Sequence, residues 1–323
     1  MTPPLRVASL LASGTEIVCA LGCEELLVGR SHECDFPESV KDLPPLSEPK
    51  FDIHLDSSTI DATIKSLVSE ALSIYRIDGE KLRELNPNVI ITQNHCNVCA
   101  VSFDDLCEAL AGLGLESVEI VSLEPNSLED VWNDIRKIAL ALNVEERGDE
   151  LIHKMIGMMD RVQSRLGEMG KSDEFLPHRD AISHPNIVCI EWIEPPMVGG
   201  NWSPTLVQYA GGVDLLGKAG EHSPFIDWET IALADPDFIL VMPCGFDIPR
   251  TRLEMKPLLA KEVWKNLRAV QDGHVYLLDG NQYFNRPGPR LVESVEIMAE
   301  IFHPTLFDFG HEGKGWERLY QKI

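Results

Sequence analysis

The chain has 323 residues, of which 44% are hydrophobic, and its formal net charge is −24 at pH 7. A chain of this length usually folds as two domains, and the hydrophobic content is typical of a globular protein. The negative charge excludes nucleic acid as an expected partner, because phosphates would be repelled, and the absence of any run of about 18 apolar residues predicts no membrane-spanning helix.

Strand and helix signals alternate over the first 125 residues. Strands are predicted at Leu5–Leu11, Leu26–Ser31, Val89–Thr92 and Val118–Leu123, and helices at Thr15–Leu21, Asp61–Ala71, Asp78–Leu85 and Phe103–Leu113. The segment Pro37–Ser58 is rich in Pro, Asp and Ser and is predicted to be a surface loop. This alternation predicts an α/β lobe with a mostly parallel sheet.

A long helical stretch follows and is predicted to link two lobes. Asn126 and Ser127 can cap it, and apolar residues then recur at helical spacing as far as Leu166, with a bend or break at Asn143–Asp149. We assign residues 1–125 to an N-terminal α/β lobe, 126–170 to the linking backbone helix and 171–323 to a C-terminal α/β lobe.

The second lobe repeats the alternation of the first. Strands are predicted at Ile187–Trp192, Phe238–Met242 and His274–Leu278, and helices after Ser203-Pro204 and at Arg250–Ala260 and Arg290–Phe302. The glycine-containing segment Gly310–Gly315 is predicted to be a loose tail.

One fifteen-residue pattern occurs in both lobes, at Ile77–Ile91 and again at Ile226–Leu240, 149 positions later (226 minus 77). Each copy contains an Asp that can cap a helix (Asp78 and Asp227), a short helix, a turn with Pro and an apolar strand. Two lobes of similar construction form a cleft, and small ligands usually bind in clefts between domains.

Thiol and imidazole side chains follow several predicted strands. In open parallel sheets, ligands bind beyond the carboxyl ends of the strands. The candidate metal ligands at these ends are Cys34, His95, Cys96, Cys99 and Cys244. Such groups suit zinc or iron. The Cys96-x-x-Cys99 pair is a weak signal by itself, and inert cysteines in tight turns are the alternative.

Aromatic side chains lie near the same loops and provide a second kind of candidate site. They are Trp192, Trp202, Phe225, Tyr283 and Phe284. Flat side chains can stack on a flat, largely apolar ligand, and core packing is the alternative. The chain contains no G-x-S-x-G elbow, no P-loop and no H-E-x-x-H motif, and no pattern positions a nucleophile, although Asp, Glu and His near the predicted cleft leave hydrolysis as an alternative.

Several stretches carry a family resemblance. They are Val7–Glu16, Val28–Pro37, Leu85–Ile91, Pro195-Pro196, Gly211-Gly212 and Asp235-Pro236-Asp237. Together they resemble the vitamin B12-binding proteins of ABC importers, within the group of helical-backbone receptors for iron-siderophores and cobalamin. The resemblance covers most of the chain. It implies the fold of the class III periplasmic binding proteins, with two Rossmann-like lobes, one long joining helix and a metal chelate bound between the lobes.

The resemblance also implies roles for individual residues. The implied ligand wall consists of Ala12, Ser13, His32, Trp192, Phe225, Tyr283 and Phe284, to which we add the loop residue Trp202. One glutamate on each lobe, Glu80 and Glu229, is implied to dock on the permease of an ABC transporter. Our leading hypothesis is therefore a non-enzymatic receptor for a corrinoid such as cobalamin, or for another small metal chelate.

Two features depart from that family pattern. The chain begins Met1-Thr2-Pro3-Pro4 and runs directly into a strand, which does not match a signal peptide and predicts a cytoplasmic location, or a periplasmic or extracellular one if the sequence is trimmed. The eight Cys are expected as reduced thiols. Together with His95, these thiols leave two alternatives: a cytosolic metal or iron–sulfur protein, and an enzyme on the receptor scaffold.

Overall fold

The computed structural model describes residues 4–69, 75–93, 110, 112, 115, 117–172 and 184–319. Its internal contacts divide the chain into two units. The first consists of residues 1–125 and 129–153, and the second of residues 126–128 and 154–323. Each unit is built on its own sheet, and parallel strands predominate in both. The predicted α/β class with two lobes is confirmed.

The first unit contains a four-stranded parallel sheet in the order β2-β1-β5-β6. The strands are β1 (Val7–Ser9), β2 (Leu27–Arg30), β3 (Ser47–Pro49), β4 (Tyr75–Ile77), β5 (Val89–Gln93) and β6 (Glu119–Leu123), and the helices in this stretch are α1 (Ala12–Ala20), α2 (Ser57–Ser69) and α3 (Gly79–Leu85). The short strands β3 and β4 form a separate antiparallel ribbon. Sequence analysis missed this ribbon because three residues are too few to show alternation. The predicted helix Phe103–Leu113 falls almost wholly outside the described residues.

Close packing of α1 on the sheet fixes the start of that helix directly after β1. All five residues of β5 are buried. A Cβ atom added at Gly14 of α1 would lie 2.7 Å from Cγ2 of Ile91 in β5. Only glycine therefore allows α1 to approach β5 this closely, and the first turn of α1 is held at the carboxyl edge of the sheet.

The stretch predicted to be one linking helix consists of two helices, α4 (Leu128–Ala141) and α5 (Glu145–Ser172). The break lies at Asn143, whose φ of 57° belongs to the left-handed region and cannot continue a right-handed helix. The proposed lobe boundaries at 125 and 170 stay predictions. In the described part of the chain, no helix combines the length and the apolarity needed to cross a bilayer.

The second unit contains a six-stranded sheet in the order β12-β11-β10-β7-β8, and β9 also pairs with β7. Its strands are β7 (Asn186–Trp192), β8 (Met197–Val198), β9 (Val213–Asp214), β10 (Phe238–Val241), β11 (Val275–Leu278) and β12 (Trp316–Arg318). Its helices are α6 (Ser203–Tyr209), α7 (Trp228–Ala234), α8 (Ile248–Leu259), α9 (Glu262–Lys265), α10 (Arg268–Gln271) and α11 (Leu291–Phe302). β8 and β12 are antiparallel to their neighbours. The predicted loose tail leads into β12.

The internal repeat is confirmed in register. The Asp78 side chain accepts a hydrogen bond from the Lys81 amide at the start of α3, and Asp227 accepts one from the Thr230 amide at the start of α7. Both helices end in a left-handed residue, Asn86 with φ 44° and its counterpart 149 positions later with φ 46°. Capping residue, helix length and terminating residue therefore agree between the two copies.

The repeat also joins the two central strands of each sheet in the same way. The backbone amide of Arg6, just before β1, donates to Asn88 Oδ1 at 2.8 Å, and that of Asn186, at the start of β7, donates to Asp237 Oδ2 at 2.8 Å. β1 then pairs in parallel with β5, and β7 with β10. We call this contact the strand-start lock.

Replacing Gly14 with Ala should destabilise the first unit by about 1–3 kcal/mol, because the added methyl group overlaps Ile91 in a packed core. Gly167 in α5 is the matched control, since a Cβ there meets nothing within 4 Å, and Gly167→Ala should stabilise slightly. Urea unfolding measures both. Equal stability of Gly14→Ala and wild type would contradict the close approach.

Candidate functional site

His32 follows β2 and is held by two serine hydroxyl groups. Its Nδ1 lies 2.9 Å from Ser47 Oγ and 3.4 Å from Ser31 Oγ, and its backbone amide donates to Ser47 Oγ at 3.2 Å. The His32 ring centroid lies 5.3 Å from that of Tyr75. Hydroxyl contacts on one nitrogen and an aromatic neighbour fix the direction of the imidazole.

The charge state of His32 follows from its surroundings. Burial lowers the pKa of His32 below its usual value, and the nearby Arg30 lowers it further, although Glu48 acts in the opposite direction. The imidazole is therefore neutral at pH 7. With Nδ1 engaged by Ser47, Nε2 is the nitrogen left to act as a donor to a metal or as a hydrogen-bond acceptor, and it lies 4.0 Å from a Glu33 carboxylate oxygen.

The start of α1 adds small polar groups to the same unit. Ala12 and Ser13 are both buried, and Ser13 Oγ has no hydrogen-bond partner. Thr92, at the carboxyl end of β5, also has a buried hydroxyl without a partner. Buried hydroxyl groups usually find partners, so these two mark a polar region where β1 and β5 end.

In the second unit, an aromatic strip lies at the carboxyl end of β7. We define the strip as Trp192, Met197 and Phe225. Trp192 and Met197 are cross-strand neighbours, and Met197 forms a bridge with Phe225. The Phe225 side chain is 54% exposed, and the Trp192 ring lies 5.2 Å from that of Phe246. The strip is therefore an apolar surface that is supported by the packing of Trp192 against Phe246.

The loop that carries Phe225 is fixed by hydrogen bonds. Ser223 Oγ donates to the Glu191 carboxylate at 2.9 Å and accepts from the Gly200 amide at 3.0 Å. The Val198 amide donates to Pro224 O at 3.1 Å. Because these hydrogen bonds hold the loop in one conformation, Phe225 keeps its orientation although it is exposed. Less conformational entropy is then lost when a flat ligand binds.

A π-helical turn, Gly280–Phe284, contributes the last aromatic candidates. Tyr283 is half-buried, and the Arg290 guanidinium lies 5.4 Å from its ring centroid. Phe284 is fully buried, so its ring packs within the unit instead of facing a ligand. Trp202 is 8% exposed and donates through Nε1 to the Phe284 carbonyl at 2.9 Å. Trp202 therefore anchors the turn that carries Tyr283.

The predicted metal ligands do not form a described metal centre. His95, Cys96 and Cys99 lie outside the described residues. Cys34 belongs to the first unit, is buried and shares a hydrogen bond of 3.0 Å with Thr15 Oγ1, whereas Cys244 belongs to the second unit. Among the residues that the structure describes, no group of three His, Cys, Asp or Glu side chains is arranged to hold a metal ion. The metal hypothesis gains no support from them.

The two candidate docking acids occupy equivalent places in the repeat. Glu80 lies in the first turn of α3 and Glu229 in the first turn of α7, and both side chains are exposed. An acid in a first turn is favoured by the helix dipole, which explains their position without any partner. Exposure leaves both carboxylates accessible.

Sequence analysis missed Ser47, Met197 and Arg290 as parts of these surfaces. Ser47 was hidden in the segment predicted to be loop. The signal for Met197 was the Pro195-Pro196 turn, which begins three residues after Trp192, reverses the chain and brings β8 beside β7. Arg290 was assigned to the start of a helix, with no indication of its place above the Tyr283 ring.

Trp202→Phe should lower the free energy of unfolding by about 1–3 kcal/mol, because the buried Phe284 carbonyl loses its donor. Trp228→Phe is the control, since Trp228 is also buried but its Nε1 has no hydrogen-bond partner to lose. Thermal and urea unfolding measure both. If the control costs as much as Trp202→Phe, the anchoring role is contradicted.

Comparison with known proteins identifies a matching family and several relatives of this chain. The sequence model of the family described as "Periplasmic binding protein" matches residues 7–282. An uncharacterized ABC transporter substrate-binding lipoprotein of Bacillus subtilis, YvrC, is 22% identical over 308 residues, which is 94% of this chain and 82% of that protein. The vitamin B12-binding protein of Vibrio vulnificus is 22% identical over 301 residues, covering 93% of this chain and 90% of that protein.

Solved structures agree at the level of the fold. A periplasmic heme-binding protein from Pseudomonas aeruginosa superposes with a TM-score of 0.71 at 18% identity, covering 99% of this chain and 100% of that one. The vitamin B12-binding protein BtuF of Vibrio cholerae superposes with a TM-score of 0.61 at 18% identity, covering 92% and 96%. The predicted fold is thus confirmed by independent structures.

These relatives correct two expectations. The predicted cytoplasmic location is wrong, because the matched relatives are periplasmic proteins and a lipoprotein of ABC transporters. The predicted cytosolic metal or iron–sulfur alternative finds no support among them. The prediction failed because the first residues of a sequence are weak evidence for the cellular location of a protein.

Proposed function

Because this chain belongs to the periplasmic binding protein family, we propose that it binds a corrinoid, or a closely related metal-centred macrocycle, as the solute of an ABC importer. The family consists of solute-binding proteins rather than enzymes, so no catalytic residue is assigned. Its matched relatives also support a location outside the cytoplasm for this protein.

The aromatic strip carries this proposal. A macrocycle such as a corrin has a broad, largely apolar face, and the strip offers the 54% exposed Phe225 and the half-buried Trp192, each a neighbour of Met197. Exposed aromatic rings on a fixed loop are costly in water and suit stacking against such a face. Tyr283 is a further aromatic side chain of the same unit with a polar end, suited to the edge of a macrocycle that carries amide or carboxylate groups.

The corrinoid is favoured over heme by the pattern of relatives. Several curated relatives named vitamin B12-binding protein match at least 90% of the chain. The solved structures named for heme are 18–19% identical to this chain and support the fold alone. Heme is therefore the competing ligand in the experiment below.

His32 is our candidate for contact with the metal of the solute. The Nδ1 atom is engaged by Ser47, and burial keeps the ring neutral, so Nε2 can serve as an axial donor. The metal enters as part of the solute and not as a resident cofactor.

Glu80 and Glu229 are our candidates for docking on the permease. They are exposed, they carry the same charge, and the repeat gives them the same position in α3 and α7. Two equivalent acids suit a partner that presents two equivalent basic sites, as a permease of two similar halves would.

Phe225→Ala should weaken binding of cyanocobalamin about tenfold, since an exposed aromatic anchor at the centre of a contact contributes most of its energy. Leu253→Ala is the matched control, because Leu253 is also an apolar residue of the second unit and 55% exposed, but belongs to α8 and not to the strip. Calorimetric titration with cyanocobalamin and with hemin measures both variants. Failure of the wild type to bind cyanocobalamin up to high micromolar concentration contradicts the corrinoid proposal. If the wild type binds hemin more tightly than cyanocobalamin, heme replaces the corrinoid as the proposed solute.

Aquocobalamin should show a change in its absorption spectrum on binding, because His32 Nε2 replaces the water on cobalt. His32→Gln should bind without that change, and cyanocobalamin, whose axial position is filled, should show none with either protein. Only neutral imidazole coordinates, and the folded-state pKa of His32 is lowered, so the change should persist at pH 6.5 and vanish as the pH falls through that pKa. An identical spectrum with His32→Gln contradicts the role.

A further inference from the structure

The last described stretch of the chain is tied to α11 by one buried carboxylate. We call residues 309–318 the C-terminal strap. Glu300 is 5% exposed and accepts hydrogen bonds from the backbone amides of Phe309 and His311 and, at 2.8 Å, from the indole Nε1 of Trp316. The strap ends as β12, which pairs with β11 at the edge of the sheet. A segment that could fray at a chain end is therefore held at several points.

His311 adds a titratable tie between the strap and α11. Its Nε2 lies 3.1 Å from a Glu296 carboxylate oxygen, with the two side chains only 14% and 18% exposed. Burial by itself lowers the pKa of His311, but the hydrogen bond to Glu296 and the charges of Glu300, Glu296 and Glu293 outweigh it and raise the pKa above its usual value. The charged groups of α11 that act on His311 are therefore all acids.

The strap also forms the backing of Tyr283. The His311 and Tyr283 ring centroids lie 6.3 Å apart, edge to face. A Cβ atom added at Gly315 would lie 3.4 Å from Tyr283 Cε2, so the strap backbone abuts the ring. The Gly315 carbonyl accepts from the Asp279 amide at 3.0 Å, directly before the π-helical turn. The guanidinium of Arg290, the residue directly before α11, lies 5.4 Å from the centroid of the Tyr283 ring.

We propose that protonated His311 fastens the C-terminal strap to α11 and thereby holds Tyr283 in position, so that retention of the bound solute depends on pH. The inference rests on the proposed function through the assignment of Tyr283 to the ligand wall. His311 is a positioning residue, because it acts through Tyr283 and does not touch the solute.

The direction of the pH effect follows from the sign of the shift. Because the folded-state pKa of His311 is raised, the tie is complete below the usual histidine value and is lost as the pH rises through the folded-state value. Solute retention should therefore be strongest in mildly acidic solution and weaken toward alkaline pH.

The first test is the dissociation rate of cyanocobalamin from the 323-residue chain. We expect the rate for wild type to rise about fivefold between about pH 6 and about pH 9, as a partly buried ion pair is lost. His311→Gln should release the solute at the faster rate throughout, and Glu296→Gln should behave in the same way. His153→Gln is the control, since His153 is exposed on α5, and it should follow the wild type.

A second readout needs no ligand. At about pH 6, hydrogen exchange of residues 279–285 and 309–318 should be faster in His311→Gln than in wild type. In wild type, exchange of the same residues should rise with pH by more than the intrinsic increase of the exchange rate. Equal exchange in wild type and His311→Gln at pH 6 overturns the strap inference whether or not a solute binds. If the exchange difference is present but wild type binds neither cyanocobalamin nor hemin, the proposed function fails and the tie itself stands.

Discussion

The strand-start lock is the interaction on which the arrangement of both units depends. In each unit, a backbone amide at the start of one central strand donates to the side chain that precedes its neighbour, at 2.8 Å in both cases. A parallel pair has no hairpin turn to set its register, so a side-chain contact at the strand start serves instead. With the starts aligned, the register of each parallel pair is set, and the candidate site residues lie toward the carboxyl ends of the strands.

Much of the architecture could be predicted from sequence because it rests on local signals. Asp78 and Asp227 predict helix starts. The Pro after each left-handed residue predicts a turn, and the apolar run that follows predicts a buried strand. What could not be predicted depends on contacts distant in sequence. β3 and β12 are too short for a periodic pattern, and β12 depends on its pairing with β11 and on the bond from Trp316 to Glu300 of α11.

The candidate site shows the same division. Residue type suggested aromatic side chains for ligand stacking, but only burial separates Phe225, which is 54% exposed, from Phe284, which is fully buried. Trp202 supports the π-helical turn through one hydrogen bond to a carbonyl, a role that no sequence motif encodes. Among the predicted metal ligands, Cys34 is buried and bonded to Thr15, so its thiol can serve as a small core group without a metal.

The most direct test of the receptor account is the position of cobalt in a crystal of the protein grown with cobalamin. Anomalous scattering at the cobalt edge locates the metal without assumptions about the ligand pose. The account predicts a single cobalt site whose macrocycle lies against Phe225. A cobalt site remote from the aromatic strip, or a crystal that excludes cobalt altogether, would contradict it.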